Sequence, residues 1–172
     1  EIEDLGNETI FKILKKNRNK IKIYYSAIKI LKLIQKIKEK NLVTFKKNKY
    51  KIPEYTKAKL INEANLFLKW YLPKVIKKSR INNAKKEIKI SFDNLFKKLK
   101  LKKKVFVHRD FHVSNMMYHK KKIYLIDSQD AVYGNVAYDL ASLIDDVRFK
   151  TSEELKNKIF EKFVQLNSSI NK

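Results

Sequence analysis

Through the first forty residues apolar side chains return every three or four positions, with lysines filling the gaps. Asn7 to about Lys16 offers an N-cap (Asn7), an acid in the first turn (Glu8) and Ile10, Phe11, Ile13 and Leu14 at helical spacing, which predicts a short helix. From Asn19 to Lys38, Ile21, Tyr24, Tyr25, Ile28, Leu31, Ile34 and Ile37 mark an amphipathic helix with one buried stripe. Residues 40–55 lose that period and contain Pro53, so they read as a loop. Thr56 is placed to cap a third helix reaching about Ile76, with Leu60, Ile61, Ala64, Phe67, Leu68 and Tyr71 on its apolar face and Pro73 set to kink its end. A fourth helix is predicted between Asn82 and Leu99, turning Ile88, Phe92, Leu95, Phe96 and Leu99 inward.

The pattern then changes. Val105 to Val107, Met116 to Tyr118 and Ile123 to Ile126 are short β-rich runs, the last two separated by the polar turn His119 to Lys122. A loop follows Asp127 through Gly134. A helix from about Val136 to Arg148 carries Leu140, Leu143, Ile144 and Val147 on one side, and a last one runs from Ser152 to Leu166 behind a Thr151 or Ser152 cap. Helices, a few short strands and more helices predict a mostly helical α+β domain whose small antiparallel ribbon presents polar residues at its loops.

Composition narrows the function. The 172 residues carry a formal net charge of +23, which raises a polyanion or an anionic membrane as partner. Of the 41 basic residues, however, only Arg18, Arg80, Arg109 and Arg148 are arginine, so 37 are lysine spread over nearly every segment. Base readout and bidentate phosphate contacts favour the guanidinium fork, so no specific nucleic acid is expected and the lysines read as solvated faces. No apolar run is long enough to span a membrane, no signal peptide opens the chain and no cysteine is present, which predicts a cytoplasmic protein stabilised by its core alone.

The stretch "VFVHRDFHVSNMMY" concentrates polar residues directly behind a buried strand. His108 and His112 stand four apart, as zinc-binding histidines do on a helix, but β-branched residues before them, and Asp110 and Ser114 among them, argue for a loop. Any one of these residues also fits a purely structural role, satisfying backbone groups in a tight turn. Taken together, His108, Arg109 and Asp110, followed after four residues by Asn115, match the catalytic-loop pattern H-R-D-x-x-x-x-N of kinase-fold phosphotransferases, and Asp127 follows a later apolar strand as a metal-binding aspartate should. Each residue type suits that chemistry. Asp110 supplies a carboxylate for the proton of an attacking hydroxyl, and the oxygens of Asn115 and Asp127 suit Mg²⁺ held against nucleotide phosphates.

"HRDFHVSNMMY" with "IYLIDSQDAVYGNVAYDLASLIDD" resembles the aminoglycoside phosphotransferase and choline kinase superfamily, and Gln129 to Leu140 most resembles its bacterial kinases that phosphorylate N-acetylmuramate or N-acetylglucosamine at C1. The resemblance implies the C-terminal lobe of a protein-kinase-like fold, ATP and Mg²⁺ as cofactors, and a small-molecule hydroxyl, an amino sugar above all, as acceptor. It implies Asp110 as catalytic base, Asn115 and Asp127 as magnesium ligands, His108 and Arg109 as parts of the catalytic loop, with His108 bracing it, and Asp139 tying down the loop backbone. His112 and Ser114 would lie near the transferred phosphate, and Asp130 near the sugar or metal. "EIEDLG" is similar to the hinge between lobes, so residues 1–6 are expected to be a hinge remnant, with Glu3, Asp4 and Leu5 at the adenine, and residues 7–172 the C-lobe. "AKLINEANLFLKWYLP" is similar to the substrate-side helix and makes Glu63 an acceptor candidate.

The chain has two glycines, Gly6 and Gly134, too few for a Gly-rich phosphate loop. The phosphate-covering lobe, with its lysine–glutamate pair, is therefore expected to precede residue 1, and further acceptor-side helices to follow Lys172. "DSQD" stands where protein kinases have D-F-G, which removes the flipping switch and points to a small-molecule acceptor. Two other classes are kept beside the kinase: a basic RNA- or membrane-binding module on the same scaffold, and a metal-dependent hydrolase built on His108, His112 and Asp127.

Overall fold

The computed structural model describes residues 3–16, 19–43, 46–99 and 104–167. Glu1 and Ile2 of the expected hinge, Arg18 and the last residues of the expected lobe, 168–172, lie outside them. The chain divides into two compact units, one formed by residues 1–53 with 103–172 and the other by residues 54–102.

The first unit opens with α1 (Ile10–Lys16) and α2 (Lys20–Ile34). Thr9 rather than Asn7 caps α1: its hydroxyl accepts the Lys12 N–H at 3.2 Å and its carbonyl the Ile13 N–H. Ahead of it the chain runs beside a later strand, with a Thr9–Met117 bridge and the Tyr118 N–H donating to the Glu8 carbonyl at 2.8 Å. The stripe of α2 buries Tyr24, Ala27, Ile28 and Leu31, but the helix stops at Ile34, leaving Ile37 exposed. Residues 40–55 are not all loop. β1 (Asn41–Val43) and β2 (Lys49–Lys51) pair antiparallel with every residue exposed, so the ribbon has no alternation of apolar and polar faces for a pattern to reveal.

Four further strands carry the polar segments. β3 (Lys104–Val107) pairs antiparallel with β6 (Val132–Asn135), and β4 (Met116–His119) with β5 (Lys122–Leu125). The β4–β5 turn is made by Lys120 and Lys121, both at positive φ, as the tight two-residue hairpin requires. β6 corrects the predicted loop through Gly134. Its partner lies some thirty residues earlier, and Gly134 sits opposite Val105 inside the ladder instead of ending it.

α6 covers Tyr138–Ile144, shorter than predicted, and α7 covers Glu153–Leu166 with Ser152 as its cap. α6 ends because Asp146 accepts the Arg148 N–H at 2.9 Å and its carbonyl takes the Phe149 N–H, an aspartate-led turn that turns Val147 into solvent at 95% exposure. Ile10, Leu14, Ile28, Leu31, Leu140, Leu143, Ile159 and Phe163 from the four helices close one core around Phe111, Val113 and Met116. The segment that carries the polar motif is thus nailed down by its own apolar residues.

The second unit holds α3 (Lys57–Leu66), a π-helical turn Phe67–Tyr71, α4 (Leu72–Val75) and α5 (Ile81–Lys98). Thr56 caps α3, accepting the Lys59 N–H. The predicted single helix is interrupted where the Leu72 N–H reaches back to the Phe67 carbonyl, a wider turn placed immediately before Pro73, whose ring cannot donate to the preceding turn. Phe67 and Tyr71, predicted inward, are exposed and stack at 5.2 Å; Leu95 of α5 and Leu99 just past its end are exposed as well.

Candidate active site

β3 delivers the chain into the core strand by strand position: Val105 and Val107 are buried, and His108 follows at 1% exposure. Beyond it the backbone turns sharply. Arg109 adopts φ 76°, a left-handed conformation that costs a non-glycine residue about 1–2 kcal/mol and needs support. The support is Asp139, fully buried at the start of α6. Its Oδ2 accepts the His108 N–H at 2.7 Å and its Oδ1 accepts the Arg109 N–H at 3.0 Å.

The next residues alternate. Phe111 and Val113 enter the core, while Asp110, Ser114 and Asn115 are partly exposed. The Asp110 carbonyl accepts the His112 N–H at 3.0 Å and the Asn115 Nδ2 at 3.2 Å, and the His112 carbonyl accepts the Asn115 N–H at 3.0 Å. The Asn115 amide is thereby oriented, its nitrogen committed to Asp110 and its Oδ1 set on the other side of the planar group. The Asn115 carbonyl in turn accepts the Ile126 N–H at 3.0 Å, which fastens the end of β5 to the loop. Asp127 follows, exposed, at φ 67°, a conformation aspartate tolerates better than most residues.

The Asp110 and Asp127 carboxylates both act on His108. Burial holds the His108 imidazole below its ordinary value, while the carboxylates of Asp110 and Asp127 both pull it the other way. Neither ring nitrogen of His108 has a full hydrogen bond among the described residues; the backbone of Ile126 is the polar group that acts on it. The four-residue step from His108 to His112 is not helical, so it sets no pair of imidazoles on one face. Among the described residues no cluster of three or more His, Asp or Glu is arranged to hold a metal ion. One carboxylate and one amide oxygen, Asp127 and Asn115, are instead what Mg²⁺ takes from a protein when substrate phosphates complete its shell.

The other candidates fall as follows. Asp130 is exposed in the turn that the Ala131 N–H closes onto the Ser128 carbonyl. Ser114 sits in the 3₁₀ turn Val113–Asn115. His112 is buried. Asp4 accepts the Gly6 N–H at 2.8 Å beside Glu3 and Leu5, and Glu3 meets Lys120 at 3.6 Å. Glu63 belongs to the other unit, where its carboxylate accepts the Tyr55 hydroxyl. Sequence reasoning missed the turn made by Asp146 and Arg148; the acidic pair before Val147 was a turn signal that the helical period overrode.

Burial pushes the Asp139 carboxyl from 3.8 up to about 6, against the lowering effect of the His108 and Arg109 donors and with a smaller push from Asp110. The folded chain therefore holds this proton more tightly than the unfolded chain. The associated stability is complete below about 3.8 and is lost as pH rises through about 6. Compared with Asp139→Asn, which does not titrate, the unaltered protein is expected to lose about 2 kcal/mol of relative stability between pH 4 and pH 7. Urea unfolding of both proteins across that range checks it; a constant gap would refute it.

The profile of the phosphotransferase enzyme family matches residues 17–163. N-acetylmuramate/N-acetylglucosamine kinase of Neisseria meningitidis serogroup B is 35% identical over 103 residues, 60% of this chain and 31% of that protein. The protein of the same name from Pseudomonas aeruginosa is 28% identical over 84% of this chain and 40% of its own length. The chain spans less than half the length of these curated relatives. Among solved structures, the gentamicin complex of APH(2")-IIa superposes with a TM-score of 0.61 over 99% of this chain and 56% of that one, at 18% identity. ADP-bound aminoglycoside phosphotransferase APH(2'')-Ib gives 0.58 over the same shares, at 17% identity. These two show the fold, a kinase-like phosphotransferase α+β architecture.

Proposed function

The chain belongs to the phosphotransferase enzyme family, and from that premise we propose that it forms the catalytic part of a cytoplasmic, ATP- and Mg²⁺-dependent kinase acting on a hydroxyl of a small molecule, an amino sugar at C1. The observation that supports this reading is the loop itself: hydrogen bonds tie Asn115 to the Asp110 carbonyl and Ile126, the residue before Asp127, to the Asn115 carbonyl, and a buried carboxylate fixes the left-handed turn at Arg109. The amino sugar is taken from the two relatives' names, and the C1 position from the likeness of residues 129–140 to anomeric kinases.

In this reading Asp110 orients the acceptor hydroxyl and takes its proton as the acceptor oxygen bonds to the γ-phosphorus and the bond from that phosphorus to the β–γ bridging oxygen breaks, releasing ADP. Asn115 and Asp127 would hold Mg²⁺, which supplies charge neutralisation on the phosphates when bound. His108, whose pKa burial lowers, packs edge-on against Phe111 beneath the strand-to-loop turn. Asp139 fixes the two N–H groups behind Asp110. Glu3, Asp4 and Leu5 are assigned to the adenine, and Ser114 to the phosphates. His112 and Asp130 are assigned to the acceptor side; Glu63, in the other unit, is kept as an acceptor candidate from the likeness of its own segment alone.

The test is an acceptor panel. The complete product of the gene is given ATP and Mg²⁺ with N-acetylmuramate, N-acetylglucosamine, choline or an aminoglycoside, and ADP release is followed. The expected result is that the amino sugars raise ADP release at least about tenfold over the acceptor-free rate, enough to separate substrate from background hydrolysis. Stimulation by choline or the aminoglycoside alone would replace the acceptor assignment, and stimulation by none of them would overturn the reading.

A further inference from the structure

One face of the β4–β5 hairpin closes the core at one end and stays open at the other. Met116, paired across the strands with Leu125, is buried in the core. Two residues further along each strand, on the same face by the alternation of a β-strand, Tyr118 and Ile123 are paired and line a groove of about 720 Å³ that is open to solvent. Ile23 and Ile30 of α2 and Ile13 of α1 complete its apolar lining. The described lining includes none of the residues assigned to phosphoryl transfer.

The polar part of the lining is lopsided in charge. Lys22 and Lys29 stand seven residues apart on one face of α2, about 10 Å along the helix, and Lys121 and Lys122 come from the hairpin turn; Glu8 is the one carboxylate described among them. None of these four lysines has an ion-pair partner among the described residues, whereas Lys120, the turn lysine that does not line the groove, meets Glu3 at 3.6 Å. Lys121 also holds φ 62°, where a residue with a side chain costs about 1–2 kcal/mol, so nothing in the turn itself calls for lysine there.

This chemistry selects among occupants. Isoleucines offer no aromatic face for bases to stack on, so a nucleic acid would gain charge alone. A lipid surface does not follow a concave floor. A second copy of this chain, at a net charge of +23, brings like charge to the lysines. A small molecule in an open groove keeps much of its surface in water, whereas small-ligand sites bury most of what they hold. An amphipathic helix meets each condition, with an apolar stripe against the isoleucines and acids flanking it opposite the lysines. We propose that this groove docks an acidic amphipathic helix of a partner protein, held by the apolar walls of α2 and the hairpin and by Lys22, Lys29, Lys121 and Lys122.

Fluorescence anisotropy of the complete gene product tests this with a labelled synthetic helix of about 14 residues, bearing leucines at i, i+4 and i+7 and glutamates on both flanks. The unaltered protein is expected to bind it, and Lys22→Ala with Lys29→Ala to weaken binding about fivefold, as two exposed ion pairs together would. Lys97→Ala with Lys98→Ala removes the same charge from exposed positions of α5 and is expected to leave binding within about twofold. A peptide of the same composition with its leucines scattered is expected to bind at least about tenfold more weakly. All four substituted lysines are exposed, so neither variant threatens the fold. No binding by the unaltered protein overturns the proposal. Equal losses in the two variants, or equal binding of the scattered peptide, overturn it too, because only the general pull of a basic surface would remain. Phosphatidylserine vesicles that bind more tightly than the peptide, and lose that affinity in the Lys22 and Lys29 variant alone, would replace the helix by a membrane.

Discussion

Asp110→Asn is expected to lower turnover by about 10²- to 10⁴-fold, the range a positioned general base contributes, while nucleotide affinity stays within about twofold. The expectation follows from how little else the substitution touches. The Asp110 backbone carbonyl, not its side chain, holds the His112 N–H and the Asn115 amide, so the loop keeps its geometry in the variant. The side chain is partly exposed and lies outside the core that grips Phe111 and Val113 just after it. Asparagine is nearly the same size and lacks only the charge that accepts a proton. Turnover of the two proteins on the best acceptor of the panel decides it; equal turnover sinks the assignment of Asp110.

A loss of about 10³-fold is expected for Asp127→Asn, with the Mg²⁺ concentration for half-maximal rate rising at least about tenfold, because in the proposed reading Asp127 is the charged one of two protein groups that would hold the ion. Asparagine is the informative replacement. Asp127 sits at φ 67°, where alanine would add backbone strain of about 1 kcal/mol and confuse folding with binding, whereas asparagine tolerates that conformation. A variant whose Mg²⁺ dependence matches that of the unaltered protein would show that Asp127 is no ligand.

The candidate loop was legible in the chain because its spacing is local. His108, Arg109, Asp110 and Asn115 stand at fixed short spacing, and Val105 to Val107 announces the strand that delivers them. The strands from Met116 and from Lys122 were visible for the same reason, each being a short β-rich run with a polar turn between. What failed were features decided at long range or without burial. β6 exists because Val107 pairs with Val132, and no local pattern records a partner 25 residues away. The β1–β2 ribbon buries nothing, so its lysine-laden strands carry no alternation. Val147 completes the α6 period on paper, but the turn made by Asp146 takes it out of the helix.

Asp139 shows the limit in the other direction. Its place in the chain, early in an amphipathic helix, is that of a surface acid facing the positive end of the helix. Its role came only from the resemblance to known kinases. In the structure it is fully buried, with both oxygens spent on the His108 and Arg109 amides. A backbone at positive φ cannot be read from residue types when the residue is arginine, so the need for such a brace was invisible.

In the proposed reading this loop moves a phosphoryl group to an organic hydroxyl and does not merely hydrolyse nucleotide or bind a polyanion. The most direct measurement of that transfer is the ³¹P NMR spectrum of the complete gene product incubated with ATP, Mg²⁺ and N-acetylglucosamine or N-acetylmuramate. The account predicts one new sugar-phosphate resonance growing in step with ADP and absent without the sugar. Inorganic phosphate as the sole new product, or an unchanged ATP spectrum, would contradict it.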